Sequence, residues 1–226
     1  MTNTEKPEFD HYAASYEHEL NRSIPRLAME SAYLAEYKIE RIASNMPNHQ
    51  SLNILDFGCG VGRSLNLLRK HFPSAELWGF DVSAKSIALA RQRISNVQLT
   101  HKIETLPLHA FDIIFAANVF HHIPLAQRLS AIQNCKRLLK ADGHFFIFEH
   151  NPYNPLTRLI FARCVFDQDA AMLRRATTLA LAQEAGLSVV RSEYTLFFPR
   201  PLAFLRGLER FLGWLPLGAQ YYVEMA

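Results

Sequence analysis

At 226 residues the chain is long enough for one sizeable α/β domain with short additions, and too short for two full enzyme domains. A hydrophobic fraction of 49% and a charged fraction of 20% support a packed core and exclude wholesale disorder. The formal net charge of +3 is spread along the chain without a Lys/Arg block, so nucleic acid is not the expected partner. The three cysteines, Cys59, Cys135 and Cys164, are widely spaced and form neither a disulfide framework nor a zinc pattern. No metal is therefore expected, and a reducing cytoplasm is the expected compartment. The polar first residues do not read as a signal peptide, and no apolar run approaches the roughly 20 residues of a membrane span.

In chain order, residues 1–10 read as a polar lead. Residues 12–44 have helical periodicity, with Tyr33, Leu34, Tyr37 and Ile42 near one face and Pro25 separating a short helix from a second. A loop at 45–51 leads into a short apolar strand at 52–57. A helix follows at 64–72, stopped by Pro73, and then a strand at 76–80. Ser83 is placed to cap a helix running to Ile94. Strands are expected at 97–100 and 111–117, a helix at 124–139, a turn at 140–143 and a strand at 144–149. Such alternation predicts a parallel sheet covered on both faces. Beyond a turn-rich break at 151–155 comes an apolar–basic stretch at 156–166. A helix at 170–185 then ends at Gly186, followed by a strand at 187–198, a segment at 199–215 and a last strand at 219–224.

Chemistry concentrates in Asp56-Phe-Gly58-Cys-Gly60-Val-Gly62-Arg63, between a predicted strand and helix, where glycines permit a tight turn close to a ligand. The third glycine of a dinucleotide fingerprint falls on Arg63 instead. Asp56 would repel a pyrophosphate but suits a ligand carrying an ammonium and a sulfonium. Asp81 ends the next strand, where a carboxylate either accepts from both ribose hydroxyls of a nucleoside or merely caps the following helix.

These segments resemble class I methyltransferases that use S-adenosylmethionine and release S-adenosylhomocysteine. Residues 55–62 are similar to motif I of that family, 79–83 to its second motif, 104–107 with 111–114 to the approach to the fourth strand, 118–122 to the motif after it, and 138–143 to the turn before the fifth. The likeness covers about residues 50 to 150. It implies a Rossmann-like α/β fold, with a seven-stranded, mostly parallel sheet, helices on both faces and the last strand antiparallel. It also implies three stretches of one domain. These are an N-terminal helical cap or lid at 1–50, a cofactor-binding core at 51–150, and an acceptor-side insertion with the C-terminal strands at 151–226. Carried over by position, Gly58, Cys59 and Gly60 lie against the methionine portion, and Asp56 is counted with them among the cofactor-binding residues. Asp81 and Val82 hold ribose and adenine, Ile103 and Glu104 the adenine rim, and Asn118 the methionine side, with Tyr16 closing from the N-terminal segment. Lys102 stands where relatives often carry an acidic residue.

Methyl transfer from a sulfonium to an oxygen or nitrogen gains from a general base. His121, His122 and His150 follow the fourth and fifth strands, where an open α/β sheet binds ligands. Either they serve as bases or they pack and cap. The stretches 156–166 and 201–215 interleave apolar residues with arginines, and Leu205, Leu208, Leu212 and Leu215 would line one helical stripe. That stripe packs a lid onto the sheet, or it forms an apolar acceptor pocket or an interfacial surface. The expected acceptor is a small molecule, apolar, aromatic or lipid-linked, with O-methylation in first place. RNA or protein methylation, and a non-catalytic S-adenosylmethionine-binding subunit or sensor, remain as alternatives. A partner protein or a homodimer is compatible with the sequence.

Overall fold

The structure, a computed structural model, describes residues 31–46, 51–164, 167 and 170–226. The expected first helix, the break at Pro25 and Tyr16 lie outside the described residues. In order come α1 (Ser31–Asn45), β1 (Asn53–Phe57), α2 (Arg63–His71), β2 (Glu76–Phe80), α3 (Ala84–Arg93), β3 (Val97–Thr100), β4 (Phe111–Ala117) and α4 (Leu125–Leu138). They are followed by β5 (Leu139–His150), α5 (Pro155–Arg163), α6 (Arg175–Glu184), β6 (Val189–Thr195), α7 (Glu209–Leu212) and β7 (Gln220–Met225).

The strands form one seven-stranded sheet in the order β3-β2-β1-β4-β5-β7-β6. Strands β1 to β5 pair in parallel, and β7 runs antiparallel between β5 and β6. The doubly wound sheet with an inserted antiparallel strand is the one expected. Neighbouring residues of its central strands enter cores on opposite faces. Leu55, Ile114 and Ile147 pack with Ile132 and Leu138 of α4 and Ala182 of α6. Ile54, Phe115 and Phe148 pack with Ile39 and Ile42 of α1, Leu65 and Leu68 of α2 and Ile87 of α3. Burial on both faces explains why these strands are continuous apolar runs and not alternating ones.

Local rules set several boundaries. The Ser83 hydroxyl accepts the Ser86 amide at 3.0 Å and starts α3. Helix α6 ends with the Gly186 amide on the Gln183 carbonyl and the Leu187 amide on the Ala182 carbonyl, both 2.9 Å, the paired bonds of a Schellman stop.

Three expectations fail, each because tertiary partners outbid local pattern. The turn at 140–143 is part of a twelve-residue β5. Leu139 pairs with Phe111 and His144 with Ile113, so the extra residues bulge opposite Asp112, where Lys140 Nζ meets Asp112 Oδ2 at 2.8 Å. The helix expected from 170 begins at Arg175, because the Ala171 amide is spent on the His121 carbonyl at 3.0 Å and the Ala171 carbonyl on Arg128 at 3.0 Å. The stripe through Leu205, Leu208, Leu212 and Leu215 does not form. Arg200–Leu208 is a run of 3₁₀ turns, non-helical at Leu202, and α7 is a single turn. Its buried residue is Glu209, which accepts the Tyr37 hydroxyl of α1 and the Phe197 amide, while Phe204, Phe211 and Trp214 stay exposed.

The break at 151–155 and the segment 216–219 meet each other. Fully buried Asn151 donates from Nδ2 to the carbonyls of Pro216 (3.1 Å) and Gly218 (2.7 Å) and accepts the Tyr153 amide at 3.0 Å. Asn154 donates to the Leu217 carbonyl, and Thr157 to that of Ala219. Replacing Asn151 with Ala strands the buried Gly218 carbonyl, removes the tie to Pro216 and is expected to cost about 1–3 kcal/mol of stability in urea unfolding. An unchanged midpoint would mean that water satisfies those groups instead.

Candidate functional site

A cleft of about 530 Å³ opens at the carboxyl ends of β1, β2, β4 and β5. The strand order reverses between β1 and β4, and the two following loops diverge there, so the fold itself leaves the space. At one end lies the glycine turn. The Gly58 and Cys59 amides both donate to the Phe80 carbonyl, at 2.7 and 2.9 Å, tying the turn to the end of β2. Asp81 completes the tie, its Oδ2 accepting the Gly60 amide and its Oδ1 the Ser83 amide, each at 2.8 Å. Gly60 has φ +52, and a Cβ there would meet nothing within 4 Å, so the backbone itself faces the open space. Gly62 has φ +84 and lets α2 start against Ile94, which a Cβ would approach to 2.3 Å.

Of the residues singled out by sequence, Gly58, Gly60, Asp81, Val82, Ile103, Asn118, His121, His122 and His150 all line this cleft. Asp56 and Cys59 are buried and do not line it, and Glu104 is exposed outside it. Asn118 adopts φ +58, donates its amide to the Phe148 carbonyl at 2.8 Å and accepts Gln220 Nε2 on Oδ1 at 3.2 Å.

The other end is built around buried Glu149, next to the end of β5. Glu149 Oε1 accepts the Phe120 amide at 2.8 Å, and Oε2 lies 2.6 Å from His121 Nδ1. His121 Nε2 is 3.3 Å from Asp167 Oδ1, and His122 Nε2 is 3.4 Å from the same oxygen. The His150 ring is centred 5.3 Å from that of His121, and Phe161 packs edge-on against both. Burial works against a charge on His121, but the Glu149 and Asp167 carboxylates outweigh it and raise its pKa; Glu149 is correspondingly lowered. Burial and the neighbouring His121 charge instead push His122 and His150 down to about 4, leaving both neutral near pH 7.

Sequence reasoning missed Asp167, Arg128 and Lys38. Buried Arg128 donates to the carbonyls of Ile123 and Ala171, pinning the loop after β4 to the segment before α6. Burial lowers the Lys38 pKa to about 8 against the pull of Glu149 and Asp56. Lys38 had a signal, since it lies four residues after Leu34 and four before Ile42, interrupting an apolar helical face with a charge.

Residues 55–145 match the family described as Methyltransferase domain. With the sheet order and the glycine turn already in place, that match decides the assignment. Residues 55–145 carry a methyltransferase domain of the class I type. S-adenosylmethionine is the cofactor of that class. Among curated relatives, the chain is 32% identical over 149 residues to a ubiquinone biosynthesis O-methyltransferase of Coxiella burnetii, covering 59% of this chain and 62% of the relative. It is 30% identical over 104 residues to a demethylmenaquinone methyltransferase of Thermotoga maritima, covering 45% and 44%. The chain thus spans less than two thirds of the length of these relatives. Among solved structures, a SAM-dependent methyltransferase of Thermotoga maritima, described as a possible histamine N-methyltransferase, superposes with a TM-score of 0.67 at 20% identity over 96% of this chain and 97% of its own. That likeness establishes the fold.

The chain holds a second buried carboxyl beneath the glycine turn. Burial, with Asp81 alongside, raises the Asp56 carboxyl from 3.8 to about 8 while Lys38 opposes the shift. Between those values the folded chain holds a proton that the unfolded chain has lost, so stability falls as pH rises through the window. Asp56→Asn is expected to make the fall in melting temperature between pH 6 and about 8.5 shallower in the ligand-free protein. Equal slopes in the two proteins would show that Asp56 ionises normally.

Proposed function

We propose that this chain transfers a methyl group from S-adenosylmethionine to a hydroxyl oxygen of a small apolar or aromatic acceptor. The observation that carries this reading is that one cleft holds both the glycine turn with Asp81 and the histidine cluster. S-adenosylmethionine supplies the methyl as an electrophilic carbon on a sulfonium, so the protein's task is to position it, exclude water and manage one proton.

The residues present fit that cofactor. Each Asp81 oxygen accepts one backbone amide and keeps lone-pair capacity for a ribose hydroxyl. Val82, 59% exposed, and Ile103 offer apolar surface for an adenine ring. Among the described residues Asp56 Oδ2 is buried without a hydrogen-bond partner beneath the turn, and a cationic ligand in the cleft would favour its ionised form. Asn118 sits at the junction between this end and the histidines, the place for the methionyl portion.

At the acceptor end, His121 has both ring nitrogens on carboxylates and acts by holding the loop. His122, neutral near pH 7, lines the cleft beside it and is assigned the proton of the acceptor hydroxyl. Val119, Ile123 and Ala131 supply apolar wall nearby, which favours an apolar acceptor. The Coxiella and Thermotoga relatives, named a ubiquinone biosynthesis O-methyltransferase and a demethylmenaquinone methyltransferase, are consistent with an apolar acceptor. Among the described residues no helix is long and apolar enough to cross a membrane.

Titration calorimetry with S-adenosylmethionine and S-adenosylhomocysteine tests the cofactor half. Binding is expected in the wild type, and Asp81→Ala should weaken it roughly 10- to 100-fold, the worth of hydrogen bonds to a charged group. Undiminished binding in Asp81→Ala would remove Asp81 from the ribose. The acceptor half is tested by transfer of labelled methyl to a panel of hydroxylated aromatics. No transfer to any of them by a cofactor-binding protein would overturn the acceptor class.

A further inference from the structure

We propose that His121, His150 and Asp167 form a binding site for one divalent first-row transition metal ion of the zinc type at the acceptor end of the cleft. The sequence offers no local Cys/His spacing for such a site. Its ligands come from three separate segments: the loop after β4, the end of β5, and the stretch between α5 and α6.

One ligand atom from each of the three residues lies within 4.8 Å of the others. The edge from His121 Nε2 to Asp167 Oδ1 is 3.3 Å, close to the ~3.3 Å that separates two ligands each ~2.0–2.1 Å from a tetrahedral centre. Modest movement of His150 closes the triangle. The donor set, two imidazoles and one carboxylate, suits zinc, cobalt, iron or manganese and not the all-oxygen preference of calcium or magnesium.

The surroundings supply what a metal-binding histidine needs. Glu149 Oε2, 2.6 Å from His121 Nδ1, fixes that nitrogen as a donor and aims Nε2 at Asp167, so that a metal ion binding there would take the place of the Nε2 proton. Arg128 locks the backbone on both sides, donating to the His121 and Ala171 carbonyls. Cys164 hydrogen-bonds Asp167. Two carboxylates therefore converge on one buried imidazole, a concentration of negative charge that a dication neutralises. All three ligands line the cleft, so a fourth position stays open toward it, as in catalytic and not structural metal sites. The other carboxylate–histidine group, Glu36, Glu40 and His71, lacks these features, and Lys70 already pairs with Glu36. Within the methyl-transfer reading, on which this last step rests, the open position takes the acceptor's hydroxyl oxygen and leaves His122 for its proton.

The test is a Co²⁺ titration of tag-free, chelator-treated full chain, followed by visible d–d absorption, with Zn²⁺ as competitor. We expect one equivalent of Co²⁺ per chain with the intense bands of a four- or five-coordinate site, displaced by Zn²⁺. Glu149→Gln should weaken Co²⁺ binding roughly 10- to 100-fold, as loss of a partner behind a metal-bound histidine does elsewhere. His150→Ala and Asp167→Asn should abolish the intense bands while S-adenosylhomocysteine binding, read by calorimetry, persists. A wild-type titration with no stoichiometric, intense spectrum overturns the site, as does an unchanged spectrum in folded His150→Ala and Asp167→Asn proteins. If either variant fails to fold, the wild-type stoichiometry and band intensity decide alone. The readout needs neither methyl donor nor acceptor, so its failure is distinguishable from failure of the methyl-transfer reading.

Discussion

Glu149 carries a charge that the sheet buries completely, next to the end of β5, and the histidine end of the cleft is arranged to satisfy it. A carboxylate in that position is tolerable only when its oxygens are all engaged. Parallel pairing with β4 brings the following loop within reach, and the Phe120 amide and the His121 ring take the two oxygens. That commitment fixes the loop, and the loop fixes much else. The His121 carbonyl receives the Ala171 amide, which shortens α6 from its start. The His121 ring reaches Asp167, which His122 also approaches.

The cofactor half obeys a different constraint. There the ties are mostly backbone, with two amides of the glycine turn on one β2 carbonyl and Asp81 bridging the turn to the start of α3. Such a frame presents main-chain groups and one carboxylate, and its shape depends little on side-chain rotamers. Helix α1 links the two halves from the opposite face of the sheet. Tyr37 bonds Glu209, Arg206 stacks on Tyr33 and Tyr37, and Arg41 pairs with Glu193. Lys38 is thereby delivered into electrostatic reach of Asp56 and Glu149. It offsets charge that both halves would otherwise leave uncompensated.

The antiparallel last strand was implied by the resemblance to class I methyltransferases; by itself, the sequence determined the elements from β1 to α4, their parallel winding, and the glycine turn with Asp81. Each rests on short-range physics: apolar runs, a capping serine, glycines where φ turns positive, an acid at a strand end. The three histidines were also legible as a group, because strand ends are where such sheets bind ligands. Only the tertiary structure showed how differently they are held. The engagement of both His121 nitrogens, by Glu149 and Asp167, is a meeting of three segments with no common spacing. The same holds for the bulge in β5, the late start of α6 and the broken helix after Pro199. In each, local pattern allowed a regular element and a polar partner elsewhere in the chain outbid it. For α6 and the segment after Pro199 that partner is buried, as Arg128 and Glu209, and an unsatisfied buried group costs more than a lost turn of helix.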